Sequence, residues 1–185
     1  MLHPNEVKLD ENKLTLLLLL NKEDIRAQLE GLSSEATIRN LKEKRDFHIT
    51  VIGFGIGKIL QEALAAVSNE EQTYLKEELR ELIRETNWDF SLDDQKAYFI
   101  QKEYSNFKTP ENKELRESII QTVSLPGLEI FYKHLNELFD ATLELPPAHI
   151  TLFVGGSDPE KSLMGIGIAS EKELAELHPV YLPWP

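Results

Sequence analysis

The chain has 185 residues, with 32 Asp and Glu against 20 Lys and Arg, a formal net charge of -12 and no cysteine. That length fits one domain, and a 41% hydrophobic content is enough to bury a core. The charge has the wrong sign for holding duplex DNA through a basic surface field, and the lack of cysteine excludes a disulfide framework, a thiolate nucleophile and Cys-ligated metal.

The first strong feature is the run of five leucines at positions 16–20. It is far shorter than the roughly 20 residues of a spanning helix. Asp10, Glu11 and Lys13 before it and Lys22, Glu23 and Asp24 after it also suit neither a membrane segment nor a signal peptide. We read it as a strand buried on both faces, in a protein without membrane association and cytoplasmic by default. Residues 22–32 then predict a short helix ended by Gly31 and Ser33-Ser34, and residues 47–54 alternate as a strand. From residue 58 to residue 88 the spacing of Leu60, Leu64, Val67, Leu75, Leu79, Leu82 and Ile83 is helical. A break is expected near Ser68-Asn69, where Ser68 and Glu71 form a capping box.

Residues 88–104 predict a hairpin turning near Asp93-Asp94, and the polar stretch 105–112, with Thr109-Pro110, predicts a connection between halves. A helix is expected over 111–123, punctuated by Pro126-Gly127, and another over 128–139. Residues 145–154 read as a strand entered through Pro146-Pro147. An antiparallel neighbour at 164–170 would follow the turn Gly155-Gly156-Ser157-Asp158-Pro159. Pro179, Pro183 and Pro185 keep the tail out of any helix or central strand, so it should lie on the surface, anchored by Tyr181 and Trp184. This order lacks strict strand–helix alternation and predicts an α+β domain over residues 1–185, with largely antiparallel sheets and outer helices.

Two of the strands match. Phe47-His48-Ile49-Thr50-Val51-Ile52-Gly53 and Ala148-His149-Ile150-Thr151-Leu152-Phe153-Val154-Gly155 share His-Ile-Thr in the same apolar setting, each running into glycine, 101 residues apart. Alternation puts His48 with Thr50, and His149 with Thr151, on one face, about 7 Å apart along the backbone, while apolar neighbours hold the other face. A strand histidine alone is usually structural; two copies of the triplet among five histidines point to a device. His3, His134 and His178 read as structural or exposed.

The device suits a phosphate. One neutral imidazole can take a proton from an attacking hydroxyl or water, a second protonated one can deliver a proton to the leaving oxygen, and the threonine hydroxyls can donate to non-bridging oxygens. No metal or other cofactor is required. On these residues, His48-Ile49-Thr50-Val51 and His149-Ile150-Thr151-Leu152, the chain resembles the two-histidine phosphoesterases. The resemblance implies a two-lobed, pseudo-symmetric α+β fold whose motif strands face each other across a central cleft. It also implies metal-independent hydrolysis, or reversible formation, of 2',3'-cyclic or 2',5'-linked ribose phosphodiesters in nucleotides or RNA ends. His48 and His149 would be the acid–base pair, and Thr50 and Thr151 the phosphate holders. Tyr98, sharing a strand face with Lys96 and Lys102, could stack a base or meet a phosphate, and Arg45 could serve at the rim.

Competing readings are weaker. Gly53-Phe54-Gly55-Ile56-Gly57-Lys58 misses the dinucleotide fingerprint, with Lys58 where the last glycine should stand. It misses the phosphate loop too, with Ile59 where Ser or Thr should follow; its backbone amides could still hold a phosphate beside His48. Neither histidine has a second metal ligand at a strand or helix spacing, and no Gly-x-Ser-x-Gly elbow is present. The remaining alternative is a catalytically silent module that binds nucleotides or RNA ends on the same fold.

Overall fold

A computed structural model describes residues 1–106, 109–158 and 160–183. Trp184 and Pro185 of the tail and Pro159 of the expected turn lie outside the described residues. The strands are β1 (Glu6–Asp10), β2 (Thr15–Leu20), β3 (Lys42–Glu43), β4 (Phe47–Ile52), β5 (Ser91–Asn106), β6 (Thr109–Ser124), β7 (His149–Gly156) and β8 (Val180–Leu182). The helices are α1 (Arg26–Ile38), α2 (Phe54–Ala65), α3 (Asn69–Glu85), α4 (Gly127–Phe139) and α5 (Glu171–Glu176). All strands join one sheet in the order β1-β2-β4-β7-β6-β5-β8, with β3 pairing β7 beside that path. Each of these pairings is antiparallel, as an α+β chain joined by hairpins and long returns requires.

Strand alternation gives the sheet two unlike faces. On one, Leu16, Leu18, Ile49, Val51, Ile150 and Leu152 pack with Leu29, Leu60, Leu79, Phe131 and Leu135 of α1 to α4 in the main core. Burying each such side chain contributes roughly 1.5–3 kcal/mol. Helix α4 is held by the edge of Trp88 on Phe131, centroids 5.1 Å apart. The Tyr132 hydroxyl also donates to the Val51 carbonyl at 2.7 Å, which fixes the helix to β4. On the opposite face a smaller cluster, Ile100, Ile120, Ile166, Ile168 and Leu174, holds residues 165–170 and α5 against β5 and β6.

Several expectations change. The leucine strand is buried on one face only: Leu17 and Leu19 are half-covered, opposite Thr50 and His48 on β4. The first helix runs on through Gly31 to Ile38, and the break at Ser68 is real, its hydroxyl accepting from the Glu71 amide. In place of a hairpin near Asp93-Asp94, β5 is one strand of 16 residues with a register shift between Leu92 and Ala97. The helix expected at 111–123 is instead β6, because Ser118, Ile119, Ile120 and Gln121 pair on both sides, with β5 and β7; sheet pairing overrides the helical spacing. Residues 105–106 and 109–112 therefore belong to the paired strands β5 and β6 and not to a connection between halves, and residues 107 and 108 of that stretch lie outside the described residues. The strand expected from 145 begins at His149, since Pro146 and Pro147 bring no N–H to a ladder. The antiparallel partner expected at 164–170 is absent among the described strands. A 3-10 turn (Lys161–Met164), Gly165 at φ 74° and an irregular run to Ser170 take its place. The tail forms edge strand β8 on β5, with Tyr181 opposite Tyr98. No helix among the described residues is long and apolar enough to cross a membrane.

Candidate active site

The two matched segments are sheet neighbours, β4 and β7, pairing at Ile49 and Ile150. Carrying that antiparallel register one residue each way sets His48 across from Thr151 and Thr50 across from His149. Directly opposite Cα atoms in such a ladder lie about 4.5–5.5 Å apart. Phe47, Ile49 and Val51 on one strand and Ile150 and Leu152 on the other are buried in the main core, so the polar face is backed by packed side chains.

All four motif residues line one cavity of about 350 Å³. Residues 53–56, the N-cap and first turn of α2, form part of its wall. Gly53 offers no side-chain cap there, so the first amides and the positive end of the helix dipole are left for whatever occupies the cavity, an environment that favours negative charge. From β5 come Lys102 and Tyr104, and residues 164–169 with Glu173 of α5 form the far side. Lys102 pairs with Glu173, whose other oxygen accepts from the Ala169 amide at 2.7 Å, so that wall is tied to the sheet. Burial raises the pKa of the Glu173 carboxyl, but the Lys102 ion pair and the Ala169 amide together outweigh it and leave the carboxyl below its ordinary value. Lys44 completes the lining just ahead of β4.

The His149 Nδ1 lies 2.7 Å from the Pro147 carbonyl. A carbonyl only accepts, so Nδ1 carries hydrogen and Nε2 keeps its lone pair. His48 has the backbone of Asp46, also two residues upstream, acting on it in the same sense. Burial pushes the His48 pKa down to about 4, helped by the nearby charge of Lys44 and by His149. His149 is lowered too, by burial first, with the Pro147 hydrogen bond opposing and Lys44 adding to the shift. Both imidazoles are therefore neutral at neutral pH with the cavity empty, and an anion between them would draw a proton onto one.

The structure thus brings His48, Thr50, His149 and Thr151 together, and places the other candidates elsewhere. Lys96, exposed, and Tyr98, half-buried, line a separate cavity of about 420 Å³ beside Pro147. There the Tyr98 ring meets Tyr181 edge-on with centroids 6.0 Å apart. Arg45 is exposed and borders a small cavity with Asp46 and Leu163. Lys44, Tyr104, Glu173 and, as a lining residue, Lys102 were missed. Lys102 and Tyr104 continue the alternating face of Tyr98 and were findable once β5 is one strand. Lys44 and Glu173 carry no sequence signal of their own. Of the other histidines, His3 pairs with Asp89 and His134 with Glu137, away from the cavity. Among the described residues no three His, Asp or Glu gather in a way that could hold a metal ion. No protein-family model, no curated protein and no solved structure matches this chain.

Proposed function

We propose that this protein is a metal-independent phosphodiesterase that hydrolyses, or reversibly forms, 2',3'-cyclic or 2',5'-linked ribose phosphodiester bonds of nucleotides or RNA ends. It would do so in the manner of the two-histidine phosphoesterases it resembles. The observation that carries the reading is that both His-x-Thr pairs, 101 residues apart in sequence, line one cavity. In hydrolysis one neutral imidazole takes a proton from water as its oxygen attacks phosphorus. The other, protonated in the presence of the bound anion, delivers a proton to the departing ribose oxygen, and one water is consumed. Thr50 and Thr151 donate to the non-bridging oxygens, and the first turn of α2 faces the same charge. Reversal exchanges the roles of the imidazoles, whose titration belongs to the pair. A two-lobed, pseudo-symmetric reading of the fold goes with this proposal. It is supported by the repeated triplet and by the backbone group two residues before each histidine. With nucleotides as substrates, the cytoplasm is the compartment in which we place it.

The test is incubation of purified protein with 2',3'-cyclic nucleotides in EDTA. Turnover should persist and fall by about 10²–10⁴-fold in His48→Ala and in His149→Ala. Binding without turnover would instead make the chain a silent nucleotide-binding module, and loss of turnover in EDTA would overturn the metal-independent mechanism.

A further inference from the structure

The cations of the cavity are not equivalent. Lys102 is neutralised by Glu173. Lys44 is not: among the described residues no carboxylate lies within ion-pair distance of it, and the one hydrogen bond its ammonium makes with them is a long 3.5 Å contact to the Met164 carbonyl. Its side chain is half-buried, and burial lowers its pKa against the weak pull of Asp46. Lys44 lines the same cavity as His48 and His149, and its charge lowers the pKa of both imidazoles. A partly desolvated ammonium with no counter-ion, aimed into a cavity between two acid–base groups, is an unfavourable arrangement unless an anion arrives.

We propose that Lys44 is a catalytic residue, the cation that meets the non-bridging phosphate oxygens and holds the negative charge that accumulates as the attacking oxygen bonds to phosphorus. This rests on the phosphodiesterase reading above. In the low-dielectric cavity a fixed cation aimed at developing charge acts on the transition state more than on the ground state. Lys44 also brings a fixed positive charge to the phosphate, beside the one imidazole that protonates on binding, in a protein of net charge -12. The competing role is a tether: through Met164 it would only hold the cavity wall in place.

The experiment compares wild type, Lys44→Met and Lys44→Arg in turnover of a 2',3'-cyclic nucleotide across pH, and in calorimetric binding of inorganic phosphate. The charged groups around Lys44 are His48 and His149 in the shared cavity, Arg45 and Asp46 beside it along the chain, and Lys102 with Glu173 on another wall of the cavity, and only Lys44 is altered. Lys44→Met should lower kcat about a hundredfold with a smaller change in KM, and Lys44→Arg should restore part of it. The pH optimum of kcat/KM should rise in Lys44→Met, because a cation that disfavours imidazolium is gone. Phosphate affinity should fall about tenfold. A tether would move KM and thermal stability while leaving kcat and the optimum unchanged, and that result overturns the proposal. If the wild type turns over no cyclic or 2',5'-linked substrate, the phosphodiesterase reading fails. Phosphate affinity then decides separately: a tenfold loss in Lys44→Met keeps Lys44 as the anion holder, and no loss removes it.

Discussion

His48 spends its burial on remaining neutral, and the cost appears in acid. Its pKa is 6.5 when unperturbed and about 4 in the fold, so the folded chain takes up fewer protons between these values. The stability due to the neutral ring is complete above about pH 6.5 and is lost as pH falls toward 4, an amount of about 3 kcal/mol. Urea midpoints should therefore fall more steeply over that window in wild type than in His48→Gln, and equal slopes would refute the assignment. Added phosphate should flatten the wild-type slope, because a bound anion favours the protonated ring. The histidines and threonines were legible in sequence because the chemistry fixes residue type and the strand fixes which residues share a face. Lys44 was not, because its place in the cavity wall is set by distant chain, and its ammonium meets the Met164 carbonyl from 120 positions downstream. Arg45, the neighbouring cation, was the visible choice and turns outward.

Helix α2 is where a glycine-rich loop invites the wrong reading. Gly55 would admit a Cβ with nothing within 4 Å, and Gly53 would bring only ordinary contact with Thr50. At Gly57 a Cβ would lie 2.4 Å from the Lys13 carbonyl oxygen and 2.9 Å from that of Leu14. The last glycine therefore lets the helix lie against the β1–β2 turn, and this contact sets where its first turn stands relative to the cavity. Gly57→Ala should cost about 2 kcal/mol of stability and raise KM for an anionic substrate, whereas Gly55→Ala should leave stability unchanged; thermal melts separate the two. Elements with local signals read correctly: the Ser68 cap, the helical spacing on either side of it and the alternation of β4. Elements decided by distant partners did not. The segment of β6 has apolar residues at helical intervals, and only β5 and β7 on its two sides make it a strand. The cover at 165–170 is held by Ile100 and Ile120 across the sheet and has no period to read.

At the scale of the molecule, β7 lies between β4 and β6. It joins the N-terminal strands β1, β2 and β4 to the β5–β6 hairpin, and it carries His149. A chain ended at Asp140 keeps β1 to β6 and α1 to α4 but loses the strand between the two groups. It should show no cooperative thermal unfolding by circular dichroism; a sharp transition in that fragment would show that the N-terminal elements fold as their own unit. Closing the β4–β7 register means bringing together segments separated by about a hundred residues, the kind of non-local pairing that slows folding. Synthesis runs in one direction, so a nascent chain waits with a divided sheet until residue 156 has cleared the ribosome. The event that joins the two groups of strands is also the one that delivers the second imidazole, and any catalysis this protein performs begins only after the sheet has been joined.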